Sequence, residues 1–132
     1  MTVLVDTSAL YALMDADDIN HERASAFWSG FSGEESLVTH NYVLLETCAL
    51  TQRRLGIDAV RRLVDDLLQP VSTVFVEAEL HRMAIAAVLA ARVADVSLVD
   101  TVSLEIMRRL RIRRAFAFDA HFDRFGFESV PR

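Results

Sequence analysis

The sequence predicts an α/β domain of three layers (α/β/α), with helices on both faces of a mainly parallel central sheet. Three observations carry that expectation. The chain opens on Val3-Leu4-Val5, an apolar run without alternation, as in strands buried on both faces. Short runs of this kind alternate with stretches of helical periodicity along the chain, the rhythm of βα units. Two of them end in an acid, Asp6 and Asp119, and lead into a helix. In parallel sheets, ligand chemistry gathers just beyond the carboxyl ends of the strands.

Residues 3–5 form the first strand, followed by a short helix over 8–14 and an acidic turn over 15–18. A second helix runs over 19–28 and closes at Gly30 and Gly33. Leu37-Val38 is a brief strand leading into a long helix over 41–55, which Gly56 stops. Residues 58–68 are amphipathic, with Val60, Leu63, Val64, Leu67 and Leu68 on one face and Pro70 as terminator. A strand over 73–76 precedes a helix over 77–93 whose apolar residues nearly encircle it, as in a buried or interfacial helix. Ser97 caps a helix reaching Leu110, residues 115–118 form a strand ending in Asp119, a short helix holds Phe122, and 127–130 is the last strand. No repeat or Pro/Gly/Ser-rich linker interrupts the order, so residues 1–132 read as a single domain.

At 132 residues, the chain can bury roughly two-thirds of its unfolded surface without a disulfide or structural metal. Apolar residues make up 52%, a surplus that points to a surface covered by a partner or a second copy. The longest apolar run, residues 83–91, is too short to span a bilayer, and Asp6 interrupts an N-terminal stretch that has no basic start. The lone Cys48 has no internal partner and fits a reducing compartment. A cytoplasmic address, with no membrane, is the expectation. The net charge of −5 does not advertise nucleic-acid binding, yet all 14 basic residues are arginine, which pairs bidentately with phosphate. Coding bias explains that composition more simply. The absence of lysine still excludes any mechanism that needs one.

Four acids stand out. Asp6 and Asp119 end strands; taken singly, each reads first as a helix N-cap. Asp100 lies three residues after Ser97, the spacing of a capping box, in mostly apolar surroundings. Glu46 shares its helical face with Tyr42, Leu45, Ala49 and Leu50, so its carboxylate is expected to turn towards a core. That is expensive unless it is paired or metal-bound. Arg53 is the available partner; a metal is the stronger reading because three other acids can converge with it. Packed carboxylates repel until a proton or a cation enters. Oxygen donors without a thiolate or histidine cluster suit Mg²⁺ or Mn²⁺ rather than zinc. Hard divalent ions promote phosphoryl chemistry, so the set points to metal-dependent hydrolysis of a phosphodiester.

Thr7 and Ser8 open a helix and are candidates to hold a phosphate oxygen, with capping an equal reading. His40, His81 and His121 are scattered and read as structural or solvated; His121, near Asp119, is the one worth testing. Asp123 is a candidate auxiliary ligand, with a solvated place on the short helix the plainer reading. For RNA contacts, Arg53 and Arg54 extend from the Glu46 helix, and Arg108, Arg109, Arg111, Arg113 and Arg114 cluster before the last acid. A basic helix end favoured by the macrodipole accounts better for the second group, and Arg124 is a lesser candidate.

Val-Asp-Thr-Ser-Ala-Leu at 5–10, the mid-helix Glu46, Leu-Val-Asp at 98–100, and Phe-Asp-Ala-His-Phe at 118–122 followed by Gly126-Phe127 together resemble a PIN domain. Length and order resemble the VapC-type toxins, the ribonuclease half of toxin–antitoxin pairs. The resemblance spans Val3 to Val130. It implies a metal-dependent endoribonuclease with Asp6, Glu46, Asp100 and Asp119 as its acidic set. Asp6 and Asp100 would be the surest metal ligands, Asp119 next, and Glu46 a ligand or a base. It also implies Mg²⁺ or Mn²⁺ as cofactor, a homodimer, a cognate antitoxin that occludes the site, and cleavage leaving a 5′-phosphate and a 3′-hydroxyl. A receiver domain or a haloacid-dehalogenase-like phosphatase would need a lysine and a second nearby acid where Thr7 or Ser8 stands. A nucleotide-binding module would need a Gly-rich turn after the first strand. The remaining alternatives are a nuclease acting on structured DNA and a silent PIN domain that only binds RNA or protein.

Overall fold

The computed structural model describes residues 1–31, 33–91 and 96–132. Its elements are β1 (Thr2–Val5), α1 (Thr7–Met14), α2 (His21–Ser29), β2 (Ser36–His40), α3 (Asn41–Leu55), α4 (Ile57–Arg62), β3 (Val71–Val74), α5 (Ala78–Ala91), α6 (Leu98–Leu110), β4 (Arg114–Phe116), α7 (His121–Arg124) and β5 (Glu128–Val130). Among the described residues the strands form one five-stranded sheet, in the order β3-β2-β1-β4-β5, with every pairing parallel. The chain winds outward from β1 to β3, then returns to the other side of β1 for β4. The sheet order therefore reverses between β1 and β4, and a crevice forms outside their carboxyl ends.

Period-two alternation explains why the first strand has no polar face. Val3 and Val5 pack with Ala9, Leu10, Ala12, Ala24 and Val43 from α1, α2 and α3. Leu4 points the other way, into a cluster with Leu80, Ala84, Val102, Ile106, Met107 and Phe122 from α5, α6 and α7. These two clusters, one on each face, are the three-layer arrangement expected. No helix of the described residues is long and apolar enough to cross a membrane.

Several boundaries differ from the sequence reading. Helix α2 starts at His21, because Asp18 holds the Asn20 N–H in a local turn (2.8 Å) and Ile19 is left exposed. Strand β3 covers Val71–Val74 rather than 73–76; beyond it the Val76 N–H goes to the Asn41 Oδ1 (2.7 Å). Strand β4 ends at Phe116, where the chain bends towards the crevice and the Phe118 N–H is taken by the Ser8 hydroxyl (3.0 Å). After α4, residues Leu63–Leu67 form a π-helical turn, with the Leu68 N–H donating to the Leu63 carbonyl at 2.9 Å. Leu63 is buried and Leu67 and Leu68 pack against the core, while Val64 is exposed, contrary to its expected place on the apolar face. Helix α5 is half buried rather than encircled by the core: Leu80 and Ala84 face inward, while Met83, Ile85 and Leu89 are exposed. Its expected extension over residues 92–93 lies outside the described residues.

Candidate functional site

Each acid arrives at the crevice by a different local device. Asp6 sits at the end of β1, where its N–H donates to the Phe116 carbonyl of β4 (3.0 Å). Its side chain is the N-cap of α1, with Oδ2 accepting from the Ser8 N–H (3.1 Å) and the Ser8 hydroxyl (2.6 Å). Asp100 completes a capping box at the start of α6: its N–H donates to the Ser97 Oγ (3.1 Å), and its Oδ2 accepts from the Ser97 N–H (3.4 Å). Asp119 lies in the loop after β4, and its Oδ1 accepts the His121 N–H (3.0 Å). For Asp6 and Asp100, capping and convergence are thus the same fact, since each is fixed at a helix start. Asp119 precedes Ala120, the N-cap position of α7, and is held by the His121 N–H instead.

Asp100, Asp119 and His121 each offer an atom within 4.8 Å of the others, the one such group among the described residues. The His121 Nδ1 stands 2.6 Å from Asp119 Oδ1 and 3.2 Å from Asp100 Oδ2, with the imidazole 14% exposed. Asp6 lies outside that group but close enough to feel it. Burial, and then the negative charges of Asp100 and Asp119, push its carboxyl up to about 6, against the pull of its Ser8 bonds. Asp100 is raised too, first by burial and then by Asp119. The arrangement therefore disfavours its own negative charge, as a pocket shaped for a divalent cation does before one enters. Three carboxylates and an imidazole are donors that a hard or borderline divalent ion accepts.

Glu46 is where the sequence reasoning went astray. It lies on the second turn of α3, but the face it shares with Leu45 and Ala49 is exposed, so its carboxylate is not turned into a core. Instead Val43, Thr47 and Thr51 bury the opposite stripe. Among the described residues Glu46 makes no ion pair with Arg53 and is not within the 4.8 Å group. Thr7 turns its hydroxyl away from the crevice, to Thr47 Oγ1 (3.1 Å) and the Val43 carbonyl (3.4 Å). Ser8 is the hydroxyl at the site, bridging Asp6 and the Phe118 N–H. Asp123 instead joins α7 to β5 by accepting from the Ser129 N–H and hydroxyl, both at 3.1 Å.

Arg53 is exposed at the end of α3, and Arg54 lies over the Tyr11 ring (5.4 Å), beyond the first turn of α1 from Asp6. Arg108 and Arg109 pair with Glu105 at the C-terminal end of α6, opposite Asp100, and Arg114 pairs with Glu128 at the start of β4. Those positions belong to the sheet edge opposite the acids, as the macrodipole reading implied. Arg23 was not singled out, yet its guanidinium lies over Phe118 (5.3 Å), the residue before Asp119. His121 was undervalued, although Asp119-Ala-His repeats the spacing of Asp6-Thr-Ser. His40 is structural: fully buried, its Nε2 is 2.7 Å from the Ser103 hydroxyl, and burial lowers its pKa to about 4.

Residues 3–128 match the PIN domain family. The chain is 35% identical over 129 residues, 97% of each sequence, to the 23S rRNA-specific endonuclease VapC20 of Mycobacterium tuberculosis. The crystal structure of that protein, described as a sarcin-ricin loop cleaving toxin, superposes with a TM-score of 0.84 at 32% identity, covering 95% of both chains. VapBC2 from Rickettsia felis, bound to a DNA fragment from its promoter, gives a TM-score of 0.69 at 8% identity, covering 98% of this chain and 97% of that one. At that identity the second likeness concerns the fold alone.

Proposed function

The chain belongs to the PIN domain family and to its VapC-type toxins, and from that premise we propose that residues 1–132 act as one metal-dependent endoribonuclease unit, hydrolysing RNA phosphodiester bonds. The observation that carries this reading is the meeting of Asp6, Asp100 and Asp119, from three distant segments, at the β1/β4 crevice. Asp6, Asp100 and Asp119 are the proposed ligands of Mg²⁺ or Mn²⁺, and Glu46, exposed on α3, is the proposed base or outer ligand. A cation bound there would neutralise and polarise the phosphate that the acids alone would repel. Ser8 holds the Asp6 carboxylate in place through its 2.6 Å bond, and Thr7 contributes its amide at the helix start. Arg53 and Arg54 are left as outlying RNA contacts. The identity with VapC20 makes 23S rRNA, and its sarcin-ricin loop, the first substrate to test.

The rest of the proposal concerns the setting. A cognate antitoxin would silence the enzyme in the cytoplasm. A homodimer would cover the apolar residues that α5 leaves exposed, among them Leu89 at 75%. The deciding experiment incubates the protein with 23S rRNA and Mg²⁺ or Mn²⁺, with and without EDTA, beside Asp6→Asn. Cutting should need the metal and should fall by at least about a hundredfold in the variant. Undiminished cutting by Asp6→Asn would remove Asp6 from the site, and cutting in EDTA would remove the metal.

A further inference from the structure

The geometry points to His121 as a nitrogen ligand of the divalent cation, completing with Asp100 and Asp119 a mixed nitrogen–oxygen site that prefers Mn²⁺ to Mg²⁺. This rests on the metal-dependent reading above and says which of its two candidate ions the site favours. Neighbouring ligands of an octahedral ion held at about 2.1 Å lie about 3 Å apart. The His121 Nδ1 lies 2.6 Å from Asp119 Oδ1 and 3.2 Å from Asp100 Oδ2, values on either side of that spacing. The ring is held there by its own backbone, since the His121 N–H donates to the same Asp119 Oδ1 at 3.0 Å. Once Nδ1 gives up the proton it shares with Asp119, leaving the ring protonated at Nε2, these three atoms, all within 4.8 Å of one another, can close around one ion.

A site made only of carboxylates suits Mg²⁺, whereas an imidazole donor raises affinity for the softer first-row ions more than for Mg²⁺. Of the 4 histidines, the other three are committed elsewhere. His21 meets the Ala12 carbonyl, His40 the Ser103 hydroxyl and His81 the Tyr42 hydroxyl. A nitrogen bound to a metal in this crevice is therefore that of His121.

Mn²⁺ itself is the probe. Electron spin echo spectra of the Mn²⁺-loaded protein should show ¹⁴N modulation, which His121→Ala and His121→Asn should both lose while keeping the wild-type circular dichroism. Titration followed by Mn²⁺ electron paramagnetic resonance should show binding weakened at least about tenfold in both variants, with competing Mg²⁺ less affected. Mn²⁺ bound to the wild type without ¹⁴N modulation would overturn His121 as a ligand and leave the metal-dependent reading standing. Unchanged or tighter Mn²⁺ binding by the variants would do the same, making the ring a competitor of the metal. No Mn²⁺ binding at all would overturn both.

Discussion

Asp6 carries the sharpest consequence at the scale of single residues. Its carboxyl is raised from 3.8 to about 6, chiefly by burial, so the folded protein holds that proton more tightly than the unfolded chain does. The associated stability is fully present below about 3.8 and is lost as pH rises through about 6. The shift corresponds to about 3 kcal/mol. His40 opposes it: its pKa falls from 6.5 to about 4, so its contribution is present above 6.5 and lost as pH falls through about 4. That change is of similar size, about 3 kcal/mol, and the two partly cancel in any simple pH scan. The comparison of the metal-free wild type with Asp6→Asn isolates the first. The variant should gain stability relative to wild type as pH rises from 4 to 7, by on the order of 1–3 kcal/mol, in urea melts. A difference that stays flat across that range would refute the assigned cause.

At the scale of elements, the π-helical turn after α4 separates what periodicity promises from what packing delivers. The Leu63–Leu68 bond widens this turn by one residue; Leu67 and Leu68 stay packed against the core, and Val64 alone leaves the expected apolar face. Leu63 is 0% exposed and Val64 is 46% exposed. Leu63→Ala should cost about 2–5 kcal/mol, and Val64→Glu should change stability by less than about 0.5 kcal/mol. A face read from periodicity alone would make both costly, and equal losses in thermal melts would contradict the exposure of Val64. The junctions of β2 with α3 and of α6 with the sheet meet at His40, which caps α3 and reaches Ser103. The Ser103 hydroxyl in turn donates to the Val99 carbonyl (3.1 Å), so this buried chain ties α3 to the helix that carries Asp100.

At the scale of the whole molecule, polarity is the organising fact. Acids occupy the carboxyl edge of the sheet, and the pairs of Arg108, Arg109 and Arg114 occupy the opposite edge. An RNA strand approaching the acids is therefore met by few of the arginines that the composition advertises, Arg23 over Phe118 being one beside the site. The exposed apolar residues are spread over several segments, among them Ile19, Leu45, Phe75 and Leu110, and α5 carries three. Met83, Ile85 and Leu89 lie on α5, outside the core. Should that helix form the homodimer contact, Leu89→Arg should shift sedimentation at micromolar concentration from dimer to monomer. Monomeric wild type under those conditions would leave the exposed face without that explanation.

Much of this was legible beforehand. Apolar strands without alternation fixed a parallel sheet with two covered faces, and the β1 and β4 acids followed from it. Ser97 and Asp100 announced their capping box by spacing alone, and Gly56, at φ 92°, stopped α3 where a side chain would be strained. Periodicity assigns residues to a face but does not say whether that face is covered. So Glu46, on an apolar stripe, proved exposed, and the encircled α5 proved half open. Nor does it report distances between segments, and therefore His121 counted for little until the chain closed on itself. Local preferences are written along the chain because they act between neighbours. The site is decided by the order in which strands pair, and only the packed sheet contains that.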